Sequence, residues 1–198
     1  MAAAAHLRRL RESLDGPITF GELSARLGLE GVGLTAFLLS LPFLQPVPLA
    51  GLGTPVGLML AALGVQLARG KEKPSLPRFV SGRRLESATV ERLLSIAERL
   101  MRVVERFARP RWAFAARSPR VYGCAIVVLG LIFATPVFVP FGNPITAAPL
   151  VLISLALLED DGLAGALGVA GTVVTILYHA AFAGAIWAAL RSLAARFS

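Results

Sequence analysis

Thr54 and Asn143 each stand directly after a glycine and directly before a proline, as Gly53-Thr54-Pro55 and Gly142-Asn143-Pro144. Thr and Asn are strong helix N-caps. Proline is well placed at the first helical position, where the N–H it lacks would be unpaired anyway. Each triplet is therefore expected to start a helix with free N–H groups and the positive end of its dipole exposed, a setting that receives an anion. The same triplets read equally well as proline kinks satisfied by neighbouring helices.

Other chemistry-bearing side chains are few. Glu159-Asp160-Asp161-Gly162 is the one acidic cluster in the second half. It reads as a helix-ending turn at a membrane surface, with Asp160 and Asp161 as alternative sites for a cation or proton. His179 is the only ionisable group besides Tyr178 in a long uncharged stretch, where a histidine is a functional hypothesis by default. Gln66 is a weak polar counterpart in the first half, and Arg109 and Arg111 are candidates to guide an anionic group. One Cys and two distant His make no zinc site. Phosphate-loop, dinucleotide-binding and nucleophile-elbow motifs do not occur, and no nucleophile–base set is visible. No enzyme activity, metal or cofactor is expected. The single cysteine, Cys124, is expected as a small buried residue.

The triplets are embedded in two stretches of one plan: apolar run, Pro-x-x-x-Pro, short break, Gly–cap–Pro, apolar run. The first carries Pro42, Pro46 and Pro55, and the second Pro136, Pro140 and Pro144. Paired interruptions of this kind in two halves of a chain point to a binding site between broken membrane helices. The runs Val32–Leu44 and Val56–Ala68, then Val121–Thr135 and Pro144–Leu158, are short. At about 1.5 Å per residue they reach about 20–23 Å, against a hydrocarbon core of about 30 Å. Two geometries fit, re-entrant hairpins or kinked crossing helices, and the re-entrant one is taken here. Non-helical backbone at that depth must be buried in protein or face water.

Charge and hydropathy agree with a membrane protein. Hydrophobic residues make up 56% and charged residues 16%, where a soluble domain carries about 25% charged; mean hydropathy is +0.70. Fourteen of the twenty Lys and Arg lie between Arg69 and Arg120. Such a block between apolar runs follows the positive-inside rule, and no nucleic-acid recognition motif accompanies the net charge of +8.

A polar lead-in, 1–31, holds Thr19 and Glu22 at capping-box spacing, so a short helix is expected from Phe20 to Leu27. Residues 69–120 form a basic loop and then an amphipathic helix from Leu85 to Phe107. Its apolar stripe includes Leu93, Leu94, Leu100 and Val104, and suits the cytoplasmic membrane surface or a second protomer. Trp112 and Phe114 suit an interfacial anchor. Residues 162–190 are long enough to cross with tilt, and Gly165, Gly168, Gly171, Ala180, Ala183 and Gly184 suggest close helix packing.

Several of these motifs occur in an order that resembles the ExoD family of bacterial exopolysaccharide-synthesis proteins. They are Leu-Pro-Phe-Leu-Gln-Pro-Val-Pro at Leu41–Pro48, then Gln66 followed by G-x-x-x-P-S-L-P from Gly70 to Pro77. Arg109-Pro110-Arg111, the Pro136 to Pro144 pattern and Asp161-Gly162 complete the set. Ser75 stands where family members tend to carry tryptophan. The likeness covers about residues 17–190. It implies an inner-membrane protein linked to exopolysaccharide production and, in some members, alkali tolerance; it carries over no catalytic residue.

The expectation is an all-α, multi-pass protein of the bacterial inner membrane, one membrane domain over 1–198. Its parts are hairpin repeats at 32–68 and 121–158, an amphipathic helix between them and a transmembrane helix over 162–190. Its expected role is transporter-like handling of an anionic lipid-linked or sugar intermediate at converging breaks. The alternatives are an accessory scaffold of a polysaccharide assembly complex, or ion or proton handling. Membrane lipid, an anionic lipid carrier and a second copy of the chain are the expected partners, and nucleic acid is not.

Overall fold

The structure, a computed structural model, describes residues 18–19, 31–44, 53–71, 84–85, 118–135 and 139–197. Five helices dominate them. Helix α1 (Gly31–Leu44) tightens over Leu41–Leu44 into a 3-10 turn that carries Pro42. Helices α2 (Gly53–Ala68) and α3 (Pro119–Ala134) have 16 residues each, α4 (Gly142–Glu159) has 18, and α5 (Gly162–Phe197) has 36. A two-residue antiparallel pair, β1 (Ile18–Thr19) and β2 (Arg84–Leu85), joins the lead-in to the basic segment.

Local chemistry sets most of the boundaries. Gly70 ends α2 with φ of +73°. Its N–H donates to the Leu67 carbonyl at 2.9 Å, and the Lys71 N–H donates to the Gln66 carbonyl at 3.1 Å. That pair of bonds is a Schellman cap, and glycine takes its left-handed position without a Cβ clash. Helix α3 starts on Pro119 and ends where Thr135 turns extended, as the residue before a proline prefers. At the α4–α5 turn Asp160 is left-handed, with φ of 52°. The Asp161 carboxylate then accepts the N–H groups of Leu163 and Ala164 at 3.1 Å each, capping α5.

The tightest packing joins the two broken stretches to each other. Helices α2 and α3 run antiparallel with backbones almost touching. A Cβ added at Gly57 would lie 2.4 Å from the Gly130 carbonyl oxygen, and one at Gly123 would lie 2.3 Å from the Ala68 nitrogen. Gly64 and Gly130 are equally confined. Only glycine permits this approach, because a side chain at these positions would meet backbone atoms of the partner helix. Helix α1 lies on α4, Gly33 meeting Ser154, Leu157 and Leu158. Helix α5 lies along α4 with Gly168 and Gly171 against Pro149. Phe43, Leu60, Leu63, Ile126, Leu129, Leu150 and Ile153 fill the fully buried centre.

The breaks meet at one end of this bundle. The Phe43 and Phe133 rings are 4.9 Å apart, and the Thr54 hydroxyl donates to the Ala134 carbonyl at 3.1 Å. The opposite end holds the α2 terminus, the start of α3 and the α4–α5 turn, where Gly165 packs on the Tyr122 hydroxyl.

Several expectations change. Leu85 lies in β2, so it is not the first residue of a helix; Thr19 lies in β1, an extended backbone that a helix-capping residue also takes. The rest of the predicted helices over 20–27 and 85–107 lies outside the described residues. Helix α5 continues seven residues beyond Leu190, because Arg191 and Arg196 are good helix formers and do not stop it. Cys124 is exposed, not buried. Small strands aside, the described residues are helical. Two helices, α4 and Gly162–Ala195 of α5, are long and apolar enough to cross a membrane.

Candidate functional site

Neither proposed cap caps. Helix α4 begins at Gly142, its N-cap position is Phe141 in left-handed conformation (φ of 53°), and no side chain bonds there. Asn143 lies inside the first turn. Thr54 likewise lies inside the first turn of α2, its proton given to Ala134. The reason is tertiary. The end of α3 presents a carbonyl that Thr54 can reach. At the second break the Gly142 N–H donates to Val139 O at 2.9 Å and the Ile145 N–H to Phe141 O at 3.2 Å. A tight turn thus satisfies donors that a capping side chain would otherwise serve.

Beside that second break is a cleft of about 520 Å³. One wall is the end of α3 with Ile132, Phe133 and Thr135. The floor is the start of α4 with Asn143, Pro144 and Thr146, and the far wall is α5 with His179, Phe182 and Ile186. The His179 Nδ1 lies 2.9 Å from the Thr175 carbonyl oxygen. Its Nε2 faces Gly142, where an added Cβ would lie 3.4 Å away. Tyr178 beside it donates its hydroxyl to the Pro140 carbonyl, tying α5 to the break.

Of the residues predicted from sequence, the cleft unites Asn143, Pro144 and His179. Thr54 and Pro55 are exposed at the start of α2 and do not line it. Gln66 is partly buried at the opposite end, its amide donating to the Ala62 carbonyl at 3.2 Å. Asp160 is exposed in the turn and Asp161 is buried as the α5 cap. Pro42 is exposed in the 3-10 turn, and Pro140 is exposed at the second break. Arg109, Arg111, Pro46 and Pro136 lie outside the described residues. No group of three metal-ligating side chains occurs among the described residues.

Sequence reasoning missed Thr135, Thr146 and Phe182. It also missed Pro149 inside α4. A proline there leaves the carbonyl four residues earlier without its helical donor, and that carbonyl, Ile145 O, accepts the Thr175 hydroxyl at 3.0 Å. A proline five residues after Pro144 in an apolar run was the available signal.

Together these features define a helical protein with two candidate membrane-crossing helices and an apolar cleft at a helix break. A family described as "Exopolysaccharide synthesis, ExoD" matches residues 3–181, and the chain belongs to it. It is 31% identical over 182 residues to Protein ExoD of Rhizobium meliloti, covering 89% of this chain and 75% of that one. It is also 24% identical over 134 residues to an uncharacterized protein of Synechocystis, covering 66% of this chain and 62% of that one. No solved structure matches the chain.

Proposed function

We propose that the chain is a multi-pass protein of the bacterial inner membrane that serves exopolysaccharide synthesis by taking the headgroup of a lipid-linked or sugar intermediate into the cleft at the second break. The cleft is the observation that carries this reading: an apolar enclosure with a small polar set, as ligand sites are built. Family membership supplies the process.

Depth supports it. The helices α2 to α4 are about 24–27 Å long and nearly match a hydrocarbon core of about 30 Å. With the α4–α5 turn at one surface, the breaks come close to the other. Trp187 and Arg191 on α5, with the guanidinium 5.2 Å from the ring centroid, mark that second surface as an aromatic and basic pair does. His179 is about 12 Å below Trp187 along α5. The cleft therefore sits just beneath a headgroup layer and beside lipid. Its walls belong to different helices, so opening them toward either side would move a headgroup, which supports a transporter-like reading.

The test fills the cleft. Ala183→Trp is expected to abolish exopolysaccharide output at normal protein levels, whereas Val173→Trp, on an exposed face of α5 away from the cleft, keeps it. Full output from Ala183→Trp sinks the proposal. A scaffold role, in which the helices offer only packing surfaces to an assembly machine, then takes its place.

A further inference from the structure

We propose that this cleft prefers a hydroxyl-bearing headgroup to a phosphate, because the side chains lining it offer hydrogen-bond acceptors and have already committed their own protons. The inference rests on the reading that the cleft is a ligand site, and goes on to name the chemistry it accepts.

A hydroxyl has one proton to donate. That of Thr135 goes to the Leu131 carbonyl at 2.9 Å, and that of Thr146 to the Gly142 carbonyl at 2.7 Å. Both oxygens are left with lone pairs only. His179 is decided by the same logic. A carbonyl oxygen can only accept, so the Nδ1 that lies 2.9 Å from Thr175 O carries the proton. In the neutral ring Nε2 is then an acceptor, and Nε2 is the nitrogen beside Gly142 at the cleft floor.

The helix start adds little donor capacity. Among its first backbone groups, the Gly142 and Ile145 N–H groups are bonded within the break, and Pro144 has none. Asn143 remains, with its own N–H and its carboxamide. Among the described residues that line the cleft there is no Lys or Arg. Among the described lining residues, a phosphate, all acceptor oxygens and negative charge, would meet three acceptors, one donor residue and no countercharge. A sugar-like group brings several O–H donors for Thr135, Thr146 and His179, and Asn143 can serve its ring oxygens. The apolar walls of Ile132, Phe182 and Ile186 suit the hydrocarbon that anchors such a group.

The experiment uses full-length protein with Ala183→Cys on a Cys124→Ala background, in phosphatidylcholine nanodiscs. The discs contain either glucosyl diacylglycerol or phosphatidic acid with the same acyl chains, and the rate of maleimide modification at position 183 is read. Glucosyl lipid is expected to slow modification by about three- to tenfold, the effect of one or two neutral hydrogen bonds, and phosphatidic acid to leave it unchanged. Adding His179→Leu should remove the protection, and His179→Gln, which keeps an acceptor, should retain part of it; melting curves verify that both are folded. Equal or greater protection by phosphatidic acid overturns this inference while leaving the cleft as a headgroup site. Protection by neither lipid overturns both readings. Full glucosyl protection in His179→Leu overturns the acceptor argument.

Discussion

The Thr175 hydroxyl lies 3.0 Å from the carbonyl oxygen of Ile145, the group that Pro149 deprives of its helical donor. Thr175 is fully buried, and its oxygen also lies 2.9 Å from the Gly171 carbonyl. One side chain on α5 thus repairs a defect in α4, as neighbouring Ser and Thr do for prolines in membrane helices. A double-mutant cycle measures it. Thr175→Val should cost about 1 kcal/mol in the native background and close to nothing when Pro149→Ala restores the N–H. Unfolding in mild detergent gives the four stabilities, and an equal loss in both backgrounds would falsify the repair.

The glycine seam between α2 and α3 predicts a sharp contrast. Gly57→Ala or Gly123→Ala puts a methyl group where backbone atoms of the partner helix stand 2.3–2.4 Å away. Overpacking of this kind costs about 1–3 kcal/mol. Gly184 has open space around it, so Gly184→Ala should be neutral or gain about 0.5–1 kcal/mol from helix propensity. Ranking the three variants by thermal unfolding is sufficient; a fragile Gly184→Ala would mean that another surface covers that face.

Asp161 separates a capping role from a charge role. Asn accepts the same two N–H groups, so Asp161→Asn should stay within a few tenths of a kcal/mol, while Asp161→Ala loses about 0.5–2 kcal/mol. Exopolysaccharide output should follow stability. A stable Asp161→Asn that makes no polysaccharide would show that the carboxylate charge itself is used, as in ion or proton handling.

Topology follows from where the chain leaves the bundle. Residues 72–117 connect the end of α2 to the start of α3 at one end, and α5 leaves from that end and runs past the breaks. Fourteen bases between Arg69 and Arg120 should hold the connecting segment in the cytoplasm. With Cys124→Ala as background, Ser198→Cys should react with an impermeant maleimide in intact spheroplasts and Ser75→Cys only after permeabilisation. The reverse pattern would invert the protein.

Residue types alone determined much here. Apolar runs, prolines and the charge block located α1 to α4 and the start of α5 to within a few residues, since helix length and interruption depend on local rules of hydrogen bonding and φ angle. Family membership was legible for the same reason, because its motifs are short and ordered along the chain. His179 and Asn143 were nameable because polar groups are rare in such runs. Tertiary structure decided the rest. Thr54 and Asn143 both have capping chemistry, yet a carbonyl on α3 claims one and a left-handed Phe141 turn removes the need for the other. Gly57 and Gly123 are ordinary glycines in sequence; that they face each other's helices depends on a pairing made across about fifty residues of intervening chain. The acceptor character of the cleft arises only when Thr175, Leu131 and Gly142 carbonyls take the protons of three separate side chains. A linear pattern records which groups can donate, and folding decides to whom.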